Sequence, residues 1–155
     1  MRRDVRQLRF VMPSTSSLRL RPGRVLVVDD EPLLAQSIAL LLAKAHRVDI
    51  ETSARQALTR LVDGGSTYDV ILSDVNMPGM SGEELFEAIR ASLPLVARRF
   101  VFMTGAPGHP RTRAFLDRIE NVWMEKPLDF ESLHALIERR IREPAALQRT
   151  STHDG

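Results

Sequence analysis

Residues 25–32 read VLVVDDEP, and this stretch decides the fold. Four apolar residues run straight into three acids and a proline. An apolar run this short, without polar alternation, suits a strand buried on both faces, as in parallel sheets covered by helices. Pro32 suits the first turn of a helix, where its missing N–H costs nothing. A buried strand thus passes into a helix through an acidic turn. Two unit negative charges about 4 Å apart repel by roughly 4 kcal/mol at an effective dielectric near 20. Asp29 and Asp30 are therefore either solvated turn residues or part of a site for something positive.

The same alternation continues along the chain. Leu33, Leu34, Ile38, Leu41 and Leu42 recur at helical spacing to about His46, and Val48–Glu51 reads as a second strand. Ser53 caps a predicted helix carrying Ala54, Ala57, Leu58 and Leu61 on one face, ended by Gly64 and Gly65. Tyr68–Asp74 (YDVILSD) is a third buried strand, and residues 76–79 (NMPG) form a turn. Ser81 and Glu84 have capping-box spacing and open a helix to about Ser92. A fourth strand is predicted over Arg99–Met103, a loop over Gly105–Pro110, a helix over Arg111–Ile119 and a short fifth strand over Val122–Met124. Asp129 caps a last helix with Phe130, Leu133, Leu136, Ile137 and Ile141 facing inward. Five strands alternating with five helices call for an α/β fold with a parallel sheet covered on both faces and right-handed crossovers. The common doubly wound order for five strands, the flavodoxin-like one, is 2-1-3-4-5.

The chain has 155 residues, 43% of them hydrophobic, enough for one globular domain with a full core. It has no cysteine, which excludes disulfides and thiolate metal sites and fits a reducing, cytoplasmic compartment. No apolar run approaches membrane-spanning length. The net charge of +2 is uneven. Residues 1–24 carry seven arginines against Asp4, a net +6, which leaves −4 for the remainder. The basic character thus lies in a tail, and no nucleic-acid-binding domain is inferred from it. The tail is rich in Arg and Ser, as transit peptides are, but the favoured reading is a disordered, solvated extension over residues 1–23. The domain is expected over residues 24–143, with a second disordered tail over 144–155.

In the 2-1-3-4-5 order, strands 1 and 3 are neighbours, and ligands bind at the carboxyl ends of the strands where the winding reverses. That end gathers Asp29 and Asp30 after strand 1, Asp74 after strand 3, Thr104 after strand 4 and Lys126 after strand 5. Each has an ordinary explanation alone, as a turn residue, a cap or a surface charge. Together they fall at the ends of consecutive central strands. Three carboxylates against one lysine leave negative charge that a hard divalent cation such as Mg²⁺ would offset. The same set suits phosphoryl transfer, with a carboxylate as nucleophile and the metal, lysine and hydroxyl stabilising the equatorial oxygens.

Four motifs, VLVVDDEP (25–32), ILSDVNMPG (71–79), FMTG (102–105) and EKP (125–127), resemble those of response-regulator receiver domains of two-component signalling. The separations Asp30–Asp74, Asp74–Thr104 and Thr104–Lys126 are 44, 30 and 22 residues, typical of that family. The resemblance covers about Arg24 to Glu143. It implies that Asp74 accepts phosphate and that Asp29 and Asp30 hold Mg²⁺, with Asp30 the direct ligand and the Asn76 backbone carbonyl a further one. It implies that Thr104 is the switch hydroxyl, that Lys126 pairs with the phosphoryl group and that the Lys126–Pro127 bond is cis. Trp123 stands at the aromatic switch position, where the family more often has Tyr or Phe. Gly105 stands where Ala is usual.

The resemblance further implies a histidine kinase or phosphotransfer protein as phosphodonor. It implies a downstream protein bound through the face of the fourth helix, fifth strand and fifth helix, and no enzymatic activity beyond self-phosphorylation and dephosphorylation. About a dozen residues follow the last helix, too few for a DNA-binding output domain. A single-domain receiver, or one similar to the receiver modules of hybrid histidine kinases, is therefore expected. Three rival readings remain. A pseudo-receiver would dock without phosphorylation, against the intact acid triad. An Asp-nucleophile phosphohydrolase of the haloacid-dehalogenase kind would want an acid two residues after the nucleophile, where Asp74 is followed by Asn76. A tail-driven nucleic-acid binder would show steep salt dependence. His46, His109, His134 and His153 show no metal-ligand spacing.

Overall fold

A computed structural model describes residues 21–143. In chain order the elements are β1 (Arg24–Val28), α1 (Pro32–Leu42), β2 (Arg47–Glu51), α2 (Ala54–Gly64), β3 (Val70–Asp74), α3 (Gly82–Ser92), α4 (Pro94–Ala97), β4 (Phe100–Thr104), α5 (Pro110–Arg118), β5 (Trp123–Glu125) and α6 (Phe130–Arg142), with one 3₁₀ turn at Gly65–Thr67. The five strands are parallel in the order β2-β1-β3-β4-β5, as expected. Among the described residues no helix is long and apolar enough to cross a membrane. Both tails beyond residues 21 and 143 lie outside the described residues.

Alternation along the central strands splits the core in two. Leu26, Val28, Ile71, Phe100 and Phe102 pack under α2, α3 and α5. Val25, Val27, Val70, Leu72, Val101 and Met103 pack under α1 and α6. On the first face Phe86 meets Phe100 and Phe102 edge-on at 5.6 and 5.4 Å, and Phe102 meets Phe115 at 5.1 Å. Such pairs add to the area they bury.

Several expectations need correction. A sixth helix, the single turn α4, follows α3. Pro94 starts it, and Val96 and Ala97 are buried at the corner before β4; four residues are too few for a periodic signal. In α1 the inward residues are Ala35, Ile38 and Leu42, while Leu33, two residues before that stripe and on the far side of the helix, is 80% exposed. Phe130, expected inward, is exposed, while Leu133, Ile137 and Ile141 of α6 are buried as expected. Helix α1 ends at Leu42 rather than near His46. The Ala45 and His46 N–H groups both turn back to the Leu42 carbonyl, at 3.2 and 3.0 Å.

His46 has a reason to leave the helix. It is buried, its Nδ1 accepts the Gly23 N–H at 3.0 Å, and its Nε2 lies 2.5 Å from Glu138 Oε1 of α6. The entering chain, the α1–β2 turn and the last helix therefore meet on one imidazole. Residues 21–23, assigned to the tail by sequence alone, make contacts here. The Gly23 carbonyl accepts the Arg47 N–H at 2.9 Å, and Arg21 Nη2 lies 2.7 Å from Asp69 Oδ1.

The caps follow the sequence. Ser53 accepts the Gln56 N–H, Ser81 accepts the Glu84 N–H at 3.1 Å, and Asp129 accepts the Glu131 N–H. Each satisfies an orphan donor of a first turn.

Candidate functional site

The carboxyl ends of β1, β3, β4 and β5 form one crevice. Parallel pairing forces this, because every strand in the sheet ends on the same side. Asp29 follows β1 and is fully buried, with both carboxylate oxygens engaged. Its Oδ1 accepts the Glu31 N–H at 2.9 Å and its Oδ2 accepts from Lys126 Nζ at 2.7 Å. Asp74 is the last residue of β3 and 5% exposed. Its Oδ1 accepts the Asn76 N–H at 3.3 Å, and its Oδ2 lies 3.3 Å from the same Lys126 Nζ. Asp30 is half-buried beside them. Asp29, Asp30 and Asp74 each offer one oxygen, all within 4.8 Å of one another.

The electrostatics follow from burial and charge count. The Asp74 carboxyl is pushed up to about 6, chiefly by burial, with Lys126 pulling it down and the Asp29 carboxylate pushing it up. Burial works against the Lys126 charge, but the Asp29 and Asp74 carboxylates outweigh it and raise the Lys126 pKa. One ammonium faces three carboxylates. The donor set is oxygen only, compact and net negative, which fits a hard divalent cation such as Mg²⁺ and no soft metal.

Thr104 ends β4 and is fully buried, its Oγ1 accepting the Ala106 N–H at 3.0 Å. The Lys126–Pro127 bond is cis. Trp123 is half-buried against the phenylalanine face of the core. In the β4–β5 register it stands opposite Phe102, while Thr104 stands opposite Glu125. Trp123 and Thr104 thus share one face of the sheet as diagonal neighbours, one step of the pleat apart. Gly105 has room beside it: a Cβ there would meet nothing nearer than Lys126 Cβ at 4.0 Å.

Two residues of this region escaped the sequence. The Asn76 side chain, singled out only for its backbone carbonyl, bridges Thr104 and the buried Thr112 of α5. Gly82 opens α3 directly against the Asp74 backbone. A lone threonine in a first turn and a glycine after a capping serine carry no motif; both matter only through contacts made across the fold.

A family model described as response regulator receiver domain matches residues 25–138. The transcriptional regulatory protein TcrA of Mycobacterium tuberculosis is 33% identical over 125 residues, which is 79% of this chain and 47% of that protein. The chain spans about half the length, or less, of the first curated relatives it matches. Among solved structures, a response regulator receiver domain protein from Clostridium thermocellum superposes with a TM-score of 0.66 at 26% identity, covering 77% of this chain and 94% of that one. The receiver domain of the hybrid histidine kinase CckA gives a TM-score of 0.63 at 26% identity, covering 77% of this chain and all of that one.

Proposed function

Because this chain belongs to the response-regulator receiver family, we propose that it works as a phosphoacceptor, with Asp74 taking a phosphoryl group from a phosphohistidine. The observation that carries the reading is a buried carboxylate, Asp74, reached by Lys126 Nζ at 3.3 Å and flanked by two further carboxylates within 4.8 Å. An Asp74 oxygen attacks phosphorus, the P–N bond to the donor imidazole breaks, and its electron pair stays on the imidazole nitrogen. Lys126 offsets charge on the acyl phosphate, and the Thr104 hydroxyl turns to donate to a phosphoryl oxygen. Asp29, Asp30, Asp74 and the Asn76 backbone carbonyl would hold Mg²⁺. When bound, the ion supplies charge stabilisation for the transferring oxygens.

The donor is a histidine kinase or a phosphotransfer protein, and the chain works in the cytoplasm. Its output is contact with a downstream protein. The expected fourth and fifth helices are α5 and α6, so the partner face is α5–β5–α6, along the open edge of β5. Incubation with a small phosphodonor and Mg²⁺ should add one acid-stable, base-labile phosphoryl group to the wild-type protein and none to Asp74→Asn. Equal labelling of the two would remove Asp74 from the reaction, and no labelling of either would leave a docking module without phosphorylation.

A further inference from the structure

Asn76 holds its carboxamide between two hydroxyls from distant parts of the chain. Its Nδ2 donates to Thr104 Oγ1 at 3.4 Å, and its Oδ1 accepts from Thr112 Oγ1 at 3.3 Å. Its own backbone N–H donates to Asp74 Oδ1. A line of hydrogen bonds therefore runs from the Asp74 loop, through the Asn76 side chain, to Thr104 on one side and α5 on the other. Thr112 is 2% exposed, and a hydroxyl so buried requires a partner. The amide chemistry sets the direction: with Nδ2 donating to Thr104, Oδ1 can only accept, so Thr112 gives its proton.

The two ends of α5 are held differently. Its later turns bury Phe115 and Leu116, and Arg118 reaches Glu83 and Glu87 of α3 at 2.7 and 2.5 Å. In its first turn Pro110, Arg111 and Arg113 are exposed and Thr112 is the buried residue. Arg111, itself largely exposed, also lies 3.8 Å from Glu83 of α3, so the Thr112–Asn76 bond is the buried tie between the start of α5 and the Asp74 loop.

We infer that Thr112 is a positioning residue, which holds the Asn76 carboxamide, and through it the Thr104 hydroxyl, in the resting arrangement and frees the first turn of α5 when Asp74 is phosphorylated. The inference rests on the reading of Asp74 as phosphoacceptor. To donate to a phosphoryl oxygen, Thr104 must leave the place where it accepts from Asn76. Thr112 keeps Asn76 turned toward α5 and so favours the place Thr104 must leave. A contact made in one of two states shifts the balance between them by its own worth, and a net hydrogen bond corresponds to roughly a 2- to 10-fold change in an equilibrium constant.

The test is the affinity of full-length protein for beryllofluoride with Mg²⁺, a phosphoryl mimic, measured by calorimetry. Thr112→Val, isosteric but unable to donate, should bind the mimic about 2- to 10-fold more tightly, and Thr112→Ser should match the wild type. A hydroxyl that only stabilised the fold would lower the melting temperature in Thr112→Val without tightening the mimic. In the wild type, the mimic should speed hydrogen exchange at the first turn of α5 and leave the Phe115–Arg118 turn unchanged, a readout needing no variant. Unchanged or weaker affinity in Thr112→Val, or Thr112→Ser behaving like Val, would overturn the role of Thr112 while leaving Asp74 in place. Wild-type protein that binds no mimic would overturn the Asp74 reading and this inference with it.

Discussion

A Cβ placed on Gly82 would stand 2.0 Å from the carbonyl oxygen of Asp74. The first turn of α3 is laid directly on the end of β3, and the Gly82 N–H donates to the Val75 carbonyl at 2.8 Å. The position of Asp74 is therefore set by a backbone contact as well as by its own strand. The turn between them passes through Gly79 at φ 76°, a left-handed conformation that glycine adopts without strain.

Gly82→Ala should accordingly push β3 and α3 apart. The neighbour is backbone and cannot rotate away, so a cost of about 1–3 kcal/mol, typical of overpacking, is expected in urea unfolding. Phosphorylation of Asp74 should fall with it. Gly108→Ala, whose Cβ would meet nothing within 4 Å, is the control and should leave both unchanged. Equal stability of the two variants would mean that the α3 turn yields freely.

Mg²⁺ should stabilise the protein, because Asp29, Asp30 and Asp74 crowd their oxygens within 4.8 Å against one lysine. A ligand that binds only the native state raises stability by RT ln(1 + [L]/Kd), roughly 2.7 kcal/mol at a hundred times Kd. Asp30→Ala should abolish the Mg²⁺-dependent rise in melting temperature, and removing one repelling charge should raise the metal-free melting temperature. A rise of wild-type size in Asp30→Ala would count against the site.

His46→Ala should weaken the joint between the entering chain and α6. It strips the Gly23 N–H and the Glu138 carboxylate of their shared partner. An unpaired buried polar group such as the Gly23 N–H costs about 1–3 kcal/mol, while Glu138 keeps His134 at 3.6 Å. The urea midpoint should drop with an unchanged slope, and Asp74 should still take phosphate. A loss of unfolding free energy below roughly 0.5 kcal/mol, the range of ordinary surface changes, would show that the imidazole is dispensable.

The arginine-rich segment should be removable. A chain starting at Pro22 loses the Arg21–Asp69 pair, whose arginine is largely exposed. Surface pairs of this kind contribute at most about 1 kcal/mol. It keeps Gly23 and the contacts of Gly23 with His46 and Arg47. Folding and phosphate acceptance should match the full chain, measured by circular dichroism and labelling. Starting two residues later, at Arg24, should be distinctly worse.

Trp123 is the one tryptophan of the chain and shares the sheet face of Thr104. When beryllofluoride binds with Mg²⁺ and draws Thr104 toward Asp74, the half-buried indole gains space beside β4. Its emission intensity or acrylamide quenching should change, the change vanishing in Asp74→Ala and shrinking in Thr104→Ala. Mimic binding with no change at Trp123 would send the output through the start of α5 alone.

The fold and most of the crevice were legible in the sequence because parallel β/α units write themselves locally. Apolar runs mark buried strands, Ser53, Ser81 and Asp129 mark helix starts, and residues at strand ends must meet once the strands are parallel. Asp29, Asp30, Asp74, Thr104 and Lys126 could be placed together on that ground. Tertiary structure decided what depends on geometry between elements. A helical period does not say how far an apolar stripe extends toward the sheet, so Leu33 and Phe130 were counted with Ile38 and Leu133, and packing buries only the latter two. Asp29 rather than Asp74 accepts the shorter Lys126 bond, because the lysine's reach is set by the turn after β5 and not by spacing in the chain. His46, Thr112 and Gly82 carry no motif at all. Their roles arise from one imidazole among three segments, one hydroxyl facing Asn76 and one missing Cβ, and only the folded chain brings those partners within reach.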